Sequence, residues 1–127
     1  MSFDNKKILI TQSDAYMGPT ISELLTSTGA NVIAKPGIVP YEDNAFDEWA
    51  SDVGEPDVIF ANLAHDPSST PIENIDTATW EALYGTMVHP LMAIVRRFAP
   101  SMAERGGGKI VAITSAAPLR GIPGSAA

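Results

Sequence analysis

Chemistry in this chain is concentrated in a few hydroxyl, phenol, amide and carboxylate groups placed just after apolar runs. Ser115 follows the apolar run Lys109-Ile110-Val111-Ala112-Ile113-Thr114, where its hydroxyl could donate a hydrogen bond to a ligand oxygen or simply satisfy backbone groups at a strand end. Thr11-Gln12-Ser13-Asp14-Ala15-Tyr16-Met17-Gly18 follows the first apolar run and leads into a helical pattern at Pro19, placing a phenol, a carboxylate and a single glycine in one turn. Asn62 closes a third run, Asp57-Val58-Ile59-Phe60-Ala61-Asn62, where an amide can hold strand and loop together. His65 and Asp66 follow it, but two adjacent loop residues without further ligands make no metal site, and the expectation is no metal. With no cysteine, thiolate nucleophiles, thiolate metal sites and disulfides are all excluded.

The elements that must position these groups follow from periodicity. Lys6-Lys7-Ile8-Leu9-Ile10-Thr11 is short and continuously apolar, as suits a central strand buried on both faces of a parallel sheet. Ile21, Leu24 and Leu25 lie at helical spacing after Pro19, and Gly29 supplies the left-handed residue that ends such a helix. Asn31-Val32-Ile33-Ala34 completes a strand-helix-strand unit with a right-handed crossover. Phe46, Trp49 and Val53 mark a short helix, and Thr77 to about Glu104 a long one that Pro90 should bend. Gly106-Gly107-Gly108 stops it before the last apolar run.

This alternation predicts an α/β fold, a Rossmann-like doubly wound parallel sheet that is incomplete at its C-terminal side. Residues 1–127 are expected to be the N-terminal part of a single such domain, the remainder lying outside this chain. Ligands of such sheets bind beyond the strand C-termini. The formal charge of −7 on 127 residues opposes nucleic-acid and anionic-membrane partners. Met1 to Lys7 is polar and resembles neither a signal peptide nor a span, so a cytoplasmic location is the expectation.

The order of elements, the strand ending in Asn62, the Trp80 helix and the strand ending in Thr114-Ser115 together resemble the short-chain dehydrogenase/reductase superfamily along the whole chain. Members of that superfamily carry T-G-x-x-x-G-x-G in the first turn, and here only Thr11 and the last glycine, Gly18, remain. Tyr16 and Asp14 put a phenol and a negative charge into the space of the cofactor diphosphate. The asparagine of the redox tetrad is replaced by Met87, and Ala34-Lys35-Pro36 offers no acid for a ribose hydroxyl. One branch is similar in these respects: the halohydrin dehalogenases, with T-x4-[F/Y]-x-G in the turn, met by Thr11, Tyr16 and Gly18, and S-x12-Y-x3-R for catalysis.

The resemblance implies an enzyme, a carbon-halogen lyase without cofactor, that closes vicinal haloalcohols to epoxides with halide release and opens epoxides with small anions. Ser115 would be its catalytic serine, and the tyrosine and arginine would fall after Ala127. Tyr16, Thr11, Gly18 and Asn62 would form the halide and substrate pocket. The partners implied are a small haloalcohol or epoxide, halide, and further copies of the chain in a homotetramer. His89 would be a packing or interface residue, and outward aromatic or methionine residues of the Trp80 helix would serve that interface. The alternatives are a divergent NAD(P)-dependent oxidoreductase and a non-catalytic relative.

Overall fold

The computed structural model describes residues 3–65, 70–115 and Leu119. Four parallel strands, β1 (Lys7–Thr11), β2 (Asn31–Lys35), β3 (Val58–Ala61) and β4 (Lys109–Ala112), form one sheet in the order β2-β1-β3-β4. β1 is central because four of its five residues are buried, which only a strand covered on both faces can achieve. Leu9 faces one layer, while Ile8 and Ile10 face the other. α1 (Gly18–Ser27) covers the second layer through Leu25 and Ile21. α2 (Asp43–Val53) and α4 (His89–Glu104) cover the first with Phe46, Ala50, Val53, Ala93, Ile94, Phe98 and Met102. Helices on both faces of a parallel sheet make this a doubly wound, Rossmann-like α/β fold.

Three strands are shorter than their apolar runs. Lys6, Asp57, Asn62, Ile113 and Thr114 lie outside the ladders, although Ile113 N still donates to Ala61 O at 3.2 Å. Asn62 turns away because its N–H bonds back to Phe60 O at 3.0 Å. The long helix is divided: α3 (Thr77–Leu83), a π-helical segment (Tyr84–Val88) and α4 follow without a break. The expected bend at Pro90 is thus a widened turn. Pro90 has no N–H for Thr86 O, and His89 N–H reaches five residues back to Tyr84 O instead. No helix among the described residues is long and apolar enough to cross a membrane. β4 has no neighbour on its outer side among the described residues, and Val111 is exposed.

Glu55 sits between α2 and β3 and ties α4 to the sheet. Its carboxylate accepts hydrogen bonds from Ser101 Oγ (2.6 Å), Arg105 Nη1 (2.5 Å) and Arg97 Nη2 (3.1 Å). The Ser101 and Arg105 bonds, with Arg97 behind them, hold the Glu55 pKa at about 2 instead of 4.5. Because the folded-state value is depressed, the stabilisation is complete above the unfolded value and disappears as pH falls from about 4.5 to about 2. Acid titration followed by circular dichroism should show this loss, and Glu55→Gln should flatten that part of the profile. An unchanged profile in the variant would remove Glu55 from the account.

Candidate active site

The sheet reverses its winding between β1 and β3, since the β1–β2 crossover runs one way and the later crossovers the other. The crevice outside the strand C-termini at that point is where such sheets bind ligands. Parallel register puts Thr11 level with Lys35, and Ala61 level with Ala112. Thr11, the turn after it, Asn62 and Ser115 therefore gather at one end of the sheet.

The turn from Gln12 to Met17 keeps the backbone shape of a glycine loop without the glycines. Gln12 and Tyr16 have φ of 42° and 50°, the left-handed region that costs a non-glycine residue about 1–2 kcal/mol. These are two of the three positions at which the family pattern carries glycine, the third being Gly18. Gly18 is required as glycine, because a Cβ there would stand 2.5 Å from Gln12 O. Asn62 secures the turn: its Nδ2 donates to Gln12 O and to Ala15 O, both at 2.9 Å, while its backbone carbonyl accepts from Thr11 Oγ1 at 3.1 Å. Thr11 and Asn62 are fully buried, so both hold the turn from behind and neither offers an atom to solvent. Tyr16 does the opposite, with its side chain on the outer surface and the residue 71% exposed among the described residues.

Sequence reasoning missed Gln12. It is buried, and its Oε1 accepts from Ala64 N at 2.9 Å, joining the turn to the segment after β3. A long side chain at a glycine position was the available signal. Asp14 Oδ1 makes the matching bond on the other side, accepting from Gly37 N at 2.9 Å, and Ser13 N donates to Lys35 O at 3.0 Å. Lys35 itself forms an ion pair with Asp52. The second missed feature is the contact of His65 Nδ1 with Thr86 Oγ1 (3.1 Å), which fastens the loop after β3 to the π-helical segment carrying Met87. Asp66 lies outside the described residues, and no group of three possible metal ligands occurs among the described ones. Ser115 is exposed three residues beyond the β4 ladder, on the side of the sheet end where Asn62 lies.

The side chains of this turn do not fit a nicotinamide dinucleotide. A diphosphate needs free backbone N–H groups and open space beside the turn. Here a phenol projects where a glycine would leave room, and a carboxylate adds repulsion. Replacing Tyr16 with glycine should relieve the left-handed residue at the cost of about 0.5–1 kcal/mol in unfolded-chain entropy, a net gain of roughly 0.5–1 kcal/mol. Thermal denaturation checks this, and a clear loss of stability would mean that the ring packs in solution.

A doubly wound sheet with a strand-turn-helix at its switch point and a hydroxyl after β4 defines a Rossmann-like α/β fold, of the class that binds ligands beyond its strand C-termini. The chain belongs to the short chain dehydrogenase family, whose sequence profile matches residues 40–127. That match begins after the β1–α1 turn, so membership does not depend on the altered loop. Acetoacetyl-CoA reductase of Cupriavidus necator is 34% identical over 90 residues, which cover 68% of this chain and 36% of the reductase. A solved dehalogenation enzyme is 26% identical, with a TM-score of 0.77 over 99% of this chain and 60% of its own. Gluconate 5-dehydrogenase from Burkholderia cenocepacia, solved with NADP and tartrate, is 22% identical with a TM-score of 0.82, covering 98% of this chain and 59% of that one; this likeness concerns the fold. The chain thus spans about a third of the curated reductase and about three fifths of these solved relatives.

Proposed function

We propose that this chain supplies the N-terminal part of a single Rossmann-like domain that converts vicinal haloalcohols to epoxides, releasing halide, and opens epoxides with small anions, without a nicotinamide cofactor. The observation that carries this reading is Tyr16, a non-glycine residue held in a glycine conformation in the turn after β1, with its side chain exposed. An aromatic ring there narrows the cofactor space to a small site suited to a poorly hydrated anion. In the reaction the substrate hydroxyl loses its proton to a base, its oxygen attacks the neighbouring carbon, and the carbon-halogen bond breaks to give halide. Ser115 donates a hydrogen bond to that oxygen, and the base is the tyrosine expected after Ala127, with an arginine beside it to favour its ionised form. Thr11, Gly18 and Asn62 shape the pocket by holding the turn rather than by touching the ligand.

An NAD(P)-dependent oxidoreductase is the second reading, and the relatives favour it: the curated match is a reductase and most of the similar structures are dehydrogenases or reductases. Against it stand the side chains of the turn. Two measurements on the full-length protein separate the readings. Halide release from a brominated or chlorinated alcohol supports the first, and micromolar binding of NADH or NADPH by calorimetry rejects it. Neither activity would leave the non-catalytic reading.

The proposal extends to the assembly. Val88, Met92 and Val95 are exposed along one side of the π-helical segment and α4, near Trp80 and Tyr84, and suit packing against further copies of the chain. His89 stacks at 5.0 Å from Tyr41 and 5.9 Å from Tyr84, which makes it a packing residue of the same region. A cytoplasmic homotetramer acting on small molecules is the expectation for the full-length protein.

A further inference from the structure

We infer that the β1–α1 turn is internally ligated: Asp14 and Gln12 occupy the backbone amides of Gly37 and Ala64, which flank the crevice, and so hold the turn in shape and exclude a dinucleotide independently of the Tyr16 ring. The inference rests on the cofactor-free reading and adds to it a determinant of ligand specificity.

The argument begins from a cost. Two left-handed non-glycine residues in one turn must be held by their surroundings, since each would relax in a free chain. A glycine loop avoids that cost. Here the restraint comes from side chains on three sides: Asp14 to Gly37 N after β2, Gln12 Oε1 to Ala64 N after β3, and Asn62 Nδ2 to the carbonyls of Gln12 and Ala15. The amide orientations are fixed by their partners. Reversing Asn62 would bring its oxygen against two carbonyls, and reversing Gln12 would bring its NH2 against an N–H. In the fixed orientation, Gln12 Nε2 and Asn62 Oδ1 are buried without a protein partner, one a donor and the other an acceptor. Such a pair in one buried knot suits a trapped water, which would complete the brace.

The same bonds decide what the crevice can accept. Gly37 N and Ala64 N follow β2 and β3, on either side of β1, and are donors that a ligand lying across the switch point would meet. Both are already engaged by the chain itself. A ribose or diphosphate oxygen would have to displace a carboxylate from one and a buried amide from the other, whereas a small ligand near Tyr16 and Ser115 need disturb neither.

Amide hydrogen exchange on the full-length protein without nucleotide tests the brace directly. Gly37 and Ala64 N–H should exchange about 100-fold more slowly than unstructured amides. Asp14→Ala should remove the protection of Gly37 while leaving Ala64 protected, and Asp14→Asn, which keeps an acceptor oxygen, should restore it. Asp14 is exposed, so these variants do not threaten the core. Unprotected amides in the unaltered protein, or protection of Gly37 that survives Asp14→Ala, would overturn the inference. Specificity is read by titrating ADP-ribose. Tyr16→Gly alone should bind no more tightly than the unaltered protein, and adding Gln12→Gly and Asp14→Ala should raise affinity by about tenfold or more over the single variant, the amount one freed hydrogen bond supplies. Equal binding by the single and the triple variant would also overturn it. Protected amides in a protein that releases no halide would refute the dehalogenase reading and leave the brace standing.

Discussion

Ser115→Ala in the full-length protein should lower epoxide formation from a bromoalcohol by about 100- to 1,000-fold, the amount associated with one hydrogen-bond donor to a developing oxyanion. The effect should fall mainly on kcat, because the bond strengthens as the oxygen gains charge. Ser115 is exposed beyond the β4 ladder, so the melting temperature should hardly move. Ser115→Thr keeps a hydroxyl and should recover part of the rate. A near-normal rate in the alanine variant would take Ser115 out of the chemistry and leave it as a strand-end residue.

Phe98→Ala should cost about 3–5 kcal/mol of stability, the range for removing a buried aromatic ring. Phe98 is fully buried in the layer formed by Leu9, Ile59, Phe46, Ile94 and Met102, where α2 and α4 meet the sheet. Neither helix can move inward alone to fill the space, because Glu55 fastens Ser101, Arg97 and Arg105 of the α4 region to the segment before β3. Urea denaturation measures the loss. A change below about 1 kcal/mol would mean that the layer collapses around the missing ring.

The strands and their parallel pairing were legible because a strand buried on both faces must be continuously apolar, as Ile8 to Ile10 are. Their ends were less so, since Asn62 and Thr114 continue a run in composition but not in the ladder. The π-helical segment was hidden for a different reason. Pro90 signals a lost hydrogen bond, but whether the helix bends or widens depends on neighbours such as Thr86, whose hydroxyl lies 3.0 Å from Ala82 O and 3.1 Å from His65 Nδ1. In the turn, the residues that differ from a glycine loop were evident, yet their directions were not. Tyr16 points outward while Gln12 is buried behind it, and only the backbone separates these outcomes. Asn62 was legible both as a pocket group and as a fastener of strand and loop, and its bonds to the turn give the second role; Thr11, legible only as a pocket group, is buried and joins it.

The position of β1 governs how the chain can begin to fold. Its partners are Val32 and its neighbours on one side and Ile59 and its neighbours on the other, so among the described residues no strand pairs with another through a tight hairpin. Closing Leu9 onto Ile59 commits roughly fifty residues of chain before any contact rewards it, a slow step of high contact order. During synthesis the first apolar run leaves the ribosome long before its second neighbour exists, and in that interval the apolar surface of Ile8 to Ile10 has no second strand to cover it.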